Sequence, residues 1–265
     1  MDKRVVDIFR PLWWLILNGP ILTFRPSKSG KAYQKIWDKD NHGSPLRKFT
    51  INQTSKLKKI FESYKNISIE YAMRYGTPEI EKTLNKMTKK GCSKILLVPL
   101  YPQYAASTSA TVKDEVFKWM LKQRWQPDLR TIAPWFDNHN YIKALAETVK
   151  KNIINKNKLD KLIVSFHGIP KRYFMAGDPY HCHCIKSARL LKEELKWPDD
   201  KILVTFQSRF GPEPWLQPYT DETIIDLAKQ GQKNIAVVAP GFISDCLETL
   251  EEINVEAREL FIENG

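Results

Sequence analysis

Three short apolar runs limit this chain to a small set of folds. They span residues 161–165, 201–206 and 234–239, and are built mainly from Ile, Leu, Val, Ala and Phe. Between them, 186–195 and 221–230 carry helical spacing. A strand buried on both faces reads as a continuous apolar run rather than an alternating one. When such strands alternate with helices, each crossover returns the chain parallel to the strand before it. The first half has the same rhythm. Residues 94–100 and 129–133 read as strands, and 68–75 alternates as a half-buried strand would. Helical stretches fall at 33–37, 53–64, 80–89, 111–123 and 140–154. Thr77 is the expected N-cap and Pro78 the first residue of the helix over 80–89, which Gly91 closes. One strand in each half runs into a proline and an aromatic residue, Val98-Pro99-Leu100-Tyr101 and Ala239-Pro240-Gly241-Phe242. The expectation is an α/β protein of two similar Rossmann-like halves, each a doubly wound parallel sheet. The halves cover residues 1–135 and 136–265 and face each other across a central cleft.

Ser165-Phe166-His167-Gly168-Ile169-Pro170 ends the 161–165 strand. His167 therefore sits at the carboxyl rim, where open α/β sheets place their ligands. An imidazole there can be an acid, a base or a metal ligand, or can simply hydrogen-bond the loop. The last helix is expected to start near Ser244-Asp245, either of which can cap it. In it, Glu248, Glu252 and Glu256 follow an i, i+4, i+8 spacing that stacks them on one helical face, about 6 Å apart. Such a row is either a solvated acidic face or a carboxylate ladder that handles protons or a divalent metal. A histidine partner shifts the metal choice toward iron and other transition ions. His181-Cys182-His183-Cys184 offers soft ligands for zinc or part of an iron–sulfur cluster, but adjacent residues cannot all turn to one ion. The alternative is a helix start whose thiols pack as small hydrophobes.

Residues 9–24 form the most apolar stretch, broken by Gly19-Pro20. They read either as a buried core helix or, with Trp13-Trp14 beside Arg10, Arg25 and Lys28, as a pocket lip or a membrane-interface segment. No run is long enough to span a bilayer. The 265 residues carry a formal net charge of +12, which attracts anionic membranes and acidic ligands. No nucleic-acid-binding motif accompanies that charge, so nucleic acid is not expected as a partner. Four cysteines in a chain of this length suit a reducing compartment, and nothing reads as a secretory signal. A cytoplasmic location with peripheral membrane contact is expected.

Four segments together resemble the ferrochelatase family. They are Tyr101-Pro102-Gln103-Tyr104; Ser165 to Pro170 with Gly177-Asp178-Pro179-Tyr180; Thr205-Phe206-Gln207-Ser208-Arg209-Phe210-Gly211-Pro212-Glu213-Pro214-Trp215-Leu216; and Pro240-Gly241-Phe242-Ile243-Ser244-Asp245-Cys246-Leu247-Glu248-Thr249-Leu250-Glu251-Glu252. They occur in the family's order, and the similarity runs from about Val5 to the end. The resemblance implies insertion of Fe²⁺ into protoporphyrin IX, the last step of protohaem synthesis, with iron as substrate and no organic cofactor. It implies catalytic roles for His167 and Glu248. It further implies a metal path through His167, Glu248, Glu252 and Glu256, and porphyrin contacts from Arg25, Arg74, Tyr101, Trp215 and Phe242. The 9–24 stretch resembles the family's hydrophobic lip. The implied assembly is a monomer or a homodimer.

The implied chemistry is self-consistent. A free-base porphyrin loses two pyrrole protons as metal enters, and binding energy from the ring's edge can offset the cost of distorting it. His167 and Glu248 can accept protons or escort the metal, and the sequence does not divide those tasks. Three departures from the family stand out. The chain shows no counterpart of the usual first strand with its L-G-T-P-type loop. It stops soon after the glutamate helix. Ala106 stands where vertebrate-type members have a cysteine after Y-P-Q-Y, and their C-terminal cysteines would fall beyond Gly265; a [2Fe–2S] cluster is therefore not expected. The alternatives are a coproporphyrin ferrochelatase, a cobaltochelatase, or a porphyrin- or haem-binding protein without catalysis.

Overall fold

The structure, a computed structural model, describes residues 2–7, 9–38, 43–153 and 158–265. The side chains of Arg10 and Lys28, and Ile154 at the end of the helix expected over 140–154, lie outside the described residues. The chain divides into two compact units. One comprises Met1–Leu100, Ala106–Ala133 and Ser244–Cys246; the other Tyr101–Ala105, Pro134–Ile243 and Leu247–Gly265.

In the first unit, α1 (Arg10–Ile16) runs through a wide turn, Leu17–Ile21, into α2 (Leu22–Ile36). The expected break at Gly19-Pro20 is a kink there: Gly19 leaves helical geometry at φ −83°, ψ −105°. The buried-helix reading of this stretch fails, because Phe9, Leu12, Trp14, Leu15, Leu22 and Phe24 are all exposed, Trp14 to 62%. Next come α3 (Pro45–Ile60) and α4 (Ile80–Lys89), then β1 (Lys94–Leu97), α5 (Thr111–Lys122) and β2 (Asp128–Thr131). β1 and β2 pair in parallel, Lys94 opposite Asp128 and Leu97 opposite Thr131. Leu84 of α4, Ile95 of β1, and Val116 and Trp119 of α5 make this unit's small core, with the Trp119 indole donating to Asn85 Oδ1 at 2.8 Å.

Two expectations for this unit are corrected. Residues 68–75 form no strand, since alternation makes a strand only where a ladder partner exists. The Met73 N–H is used instead by the Pro78 carbonyl at 2.8 Å. The Glu70 carboxylate turns to Lys86 (3.0 Å), Lys90 (3.4 Å) and Lys58 (3.7 Å). Burial alone would raise its pKa, but these lysines outweigh that and hold it below the ordinary carboxylate range. The second correction concerns α4, which is preceded by Glu79 in the N-cap position rather than by Thr77; the Thr77–Pro78 bond is cis.

The second unit holds α6 (His139–Asn152), β3 (Lys161–His167), α7 (Lys171–Met175), α8 (Tyr180–Leu195), β4 (Ile202–Gln207), α9 (Thr220–Lys229) and β5 (Ile235–Val238). It ends in a π-helix, Glu248–Ala257, continued by α10 (Arg258–Glu263). Asn138 caps α6 through its side chain, accepting from the N–H groups of Asn140 (3.0 Å) and Tyr141 (3.3 Å). The sheet is parallel in the order β4-β3-β5, so β3 is paired on both edges.

Side chains on the two sides of β3 meet different helices, as a doubly wound sheet requires. Leu162, Val164 and Phe166 pack with Ala146 and Val149 of α6 and with Cys184, Ala188 and Leu191 of α8. Ile163 packs with Ile224 and Leu227 of α9 and with Ala257 and Ile253 of the π-helix. The predicted parallel α/β architecture is therefore present in both units.

Candidate active site

The Ile163 face of β3 changes character along the strand. Ile163 lies in an apolar core, Ser165 is fully buried but polar, and His167 reaches the half-buried rim. In the parallel ladder Ser165 is level with Thr205 and His167 with Gln207. Both strands thus turn polar on this face as they approach their carboxyl ends, and Gly168 and Pro170 then carry the chain away from the sheet.

The geometry sets the histidine's tautomer. His167 Nδ1 lies 2.6 Å from the Gly168 carbonyl oxygen. A carbonyl only accepts, so Nδ1 carries a proton, and in the neutral ring the lone pair for a proton or a metal is then on Nε2. The His167 ring stands 6.4 Å from that of Trp215, centroid to centroid. Trp215 is only 5% exposed, and its indole N–H has no hydrogen-bond partner among the described residues. A Cβ added to Gly168 would come within 3.0 Å of both the Trp215 ring and the Gln207 carbonyl, so glycine is what lets the strand end approach so closely.

A connected set of polar side chains lies behind His167. Ser165 Oγ donates to Gln207 Oε1 at 2.8 Å and is hydrogen-bonded to Thr220 Oγ1 at 2.9 Å; Thr220 in turn bonds Thr205 Oγ1 at 2.8 Å. Gln207 Nε2 donates to the Glu248 backbone carbonyl at 3.1 Å and to Glu252 Oε2 at 3.2 Å. Ser208 Oγ also donates to Glu252 Oε2. The network joins β3, β4 and α9 to the carboxylate-bearing helix.

That helix differs from expectation in two ways. It spans Glu248–Ala257 with Leu247 in the N-cap position, later than the start expected near Ser244-Asp245. It is wound with i→i+5 bonds, a rare form that is frequent at functional sites. The wider turn means that residues four apart no longer stack as they do in an α-helix. Glu248 and Glu252 are half-buried, Glu256 is exposed, and the deeply buried carboxylate is Glu251, at 5% exposure. Sequence reasoning missed Glu251, along with the Ser165–Gln207 link. A signal for that link was present: in Leu162-Ile163-Val164-Ser165 and Ile202-Leu203-Val204-Thr205-Phe206-Gln207, every second residue turns polar at the strand end.

The remaining expected residues divide between the units. Arg25 and Arg74 belong to the first. Arg25 is an exposed residue of α2. Arg74 is mostly buried and paired with Asp2, with Glu115 3.6 Å away. Burial works against ionising Asp2, but a hydrogen bond from the Arg4 N–H and the Arg74 guanidinium leave its pKa lowered. Tyr101, Trp215, Phe242, His167 and the three glutamates belong to the second unit. Tyr101 is partly exposed and Phe242 half-buried.

The His181-Cys182-His183-Cys184 side chains diverge around the start of α8. His181 packs near Phe174 and Phe206, and Cys182 is exposed. His183 stacks on Phe136 at 3.7 Å, accepts from the Tyr104 N–H at 3.2 Å, and has its pKa lowered chiefly by burial. Cys184 is buried, which pushes its thiol pKa up. Among the described residues, no three His, Cys, Asp or Glu side chains converge as a ready-made metal cage.

Comparison with known proteins gives a consistent result. The ferrochelatase family profile matches residues 1–265. The ferrochelatase of Allorhizobium ampelinum is 54% identical over 265 residues, which is 100% of this chain and 77% of that protein. The ferrochelatase of Rhizobium meliloti is 53% identical over 100% of this chain and 78% of its own length, and that of Agrobacterium fabrum 51% over 100% and 77%. Among solved structures, "SirB from Bacillus subtilis with Fe3+" superposes with a TM-score of 0.56 at 19% identity, covering 83% of this chain and 80% of its own, a likeness of fold. With the profile matched from end to end and relatives this similar over its whole length, the chain belongs to the ferrochelatase family, the lyases that insert iron into porphyrin.

Proposed function

We propose that this chain inserts Fe²⁺ into protoporphyrin IX to form protohaem, with His167 and Glu248 at the reacting centre. The ring gives up two pyrrole N–H protons as four nitrogens close on the ion, so one metal enters for two protons released. The observation that carries this reading is the Nδ1-protonated His167 at a parallel strand end, whose Nε2 lone pair can take a pyrrole proton or guide the metal. The polar network connects that strand to the helix bearing Glu248 and Glu252. Glu252, half-buried, and Glu256, exposed, are the carboxylates proposed to pass iron in or protons out. Tyr101, Trp215 and Phe242 are the aromatic residues proposed to contact the ring. Arg25 and Arg74 are the cations proposed for its propionates. A propionate reaching Arg74 would compete with Asp2.

Anaerobic mixing of the purified chain with Fe²⁺ and protoporphyrin IX tests this. Catalytic loss of free-base porphyrin fluorescence, faster than with coproporphyrin or with Co²⁺, is expected. Stoichiometric binding without turnover would contradict it.

We also propose that the chain is cytoplasmic and touches anionic membrane at its periphery through residues 9–24. Among the described residues no helix is long and apolar enough to cross a membrane. The support is the run of exposed Phe9, Leu12, Trp14 and Leu15 on a chain of net charge +12. Sedimentation with anionic vesicles should be weakened by salt and by Trp14→Ser with Leu15→Ser. Binding indifferent to both would remove the membrane role.

A further inference from the structure

Gln207 is a carboxamide at 5% exposure beside the residues proposed to do the chemistry. Its orientation is fixed by its partners. The Glu248 carbonyl and the Glu252 carboxylate can only accept, so the NH₂ group must face them. Its oxygen faces Ser165, whose hydroxyl donates. Ser165 is itself fully buried and held by Thr220, which bonds Thr205. One side of the amide is thus anchored in the sheet core, and the other reaches the first turn of the π-helix.

Ser208 supplies an independent observation. It holds φ at +66°, a left-handed conformation that serine seldom adopts, and its hydroxyl donates to the same Glu252 carboxylate. The backbone leaves its preferred region at the point where the Ser208 hydroxyl meets this carboxylate, and such a conformation persists only where the surroundings hold it.

Resting on the functional reading above, we propose that Gln207 is a positioning residue for metal insertion. Anchored by Ser165, its amide holds the Glu248 turn and the Glu252 carboxylate against the strand that carries His167. Gln207 does not itself need to touch porphyrin or metal. It sets where the carboxylates stand relative to the imidazole, and a small misplacement at a reacting centre is costly.

The test is Gln207→Glu, which keeps the shape and the bond from Ser165 but puts an oxygen where the donor was. Ser165→Ala serves as the milder second variant. With Fe²⁺ and protoporphyrin IX, kcat should fall about tenfold or more while the porphyrin KM stays within about threefold. Amide hydrogen exchange should quicken over residues 248–256 and stay unchanged over 161–167 and 202–207. Wild-type kcat with unchanged exchange overturns the proposal. So does faster exchange spread evenly over the sheet in both variants, because Gln207 would then support the fold and not the carboxylates. If the wild-type chain does not metallate protoporphyrin at all, the functional reading fails separately, and the exchange experiment still decides whether Gln207 holds the helix.

Discussion

β1 and β3 have closely similar sequences and very different surroundings. Lys94-Ile95-Leu96-Leu97 and Lys161-Leu162-Ile163-Val164 are nearly interchangeable as strings. Yet Leu96 is 62% exposed while Leu162, Ile163 and Val164 are all but fully buried. Among the described residues β1 has one strand neighbour, and β3 has two plus helices on both faces. An apolar run therefore records how a strand can be buried, whereas pairing and helix cover decide how far it is. The contrast extends to function. The buried strand holds polar Ser165 in a fixed network and presents His167 at its rim; no comparable polar set is seen on β1 among the described residues.

Truncation is the sharpest way to challenge this contrast. Phe166→Ala should cost about 3–5 kcal/mol of stability in urea denaturation, because the ring is fully buried between β3, α8 and β4. Leu96→Ala should stay within about 0.5 kcal/mol, as surface changes do. Equal costs would mean that the two strands are equally covered. A smaller effect is expected within the carboxylate helix. Glu248→Gln, half-buried and on the turn held by Gln207, should lower kcat about 10²-fold. The exposed Glu256→Gln should change it by less than about threefold. Similar losses at both positions would make the outer carboxylate as essential as the inner one.

The same contrast explains what could be read from the sequence. Strands in the second half are found within a residue or two of their expected places, because doubly covered parallel strands leave an unbroken apolar signature. His167 is where the strand-end argument put it. Residues 68–75 misled because alternation records the side chains but not whether a neighbouring backbone is there to pair, and Met73 pairs locally with Pro78. The carboxylate helix misled for another reason. An i, i+4, i+8 reading presumes an α-helical turn, and in the π-helix it is Glu251, outside that spacing, that is buried. Nothing local distinguishes Gln207 in the sequence, because its partners Ser165 and Glu252 lie 42 and 45 positions away.

The central claim is that a strand-end imidazole of defined tautomer serves metal insertion. Comparing the wild-type chain with His167→Ala under anaerobic conditions tests it most directly, with porphyrin binding followed by Soret absorbance and metallation by loss of free-base fluorescence. The variant is expected to bind protoporphyrin IX with affinity within about threefold of wild type and to lose metal insertion by about 10³-fold. Near-normal insertion by a folded His167→Ala protein would contradict the claim and move the chemistry to another group.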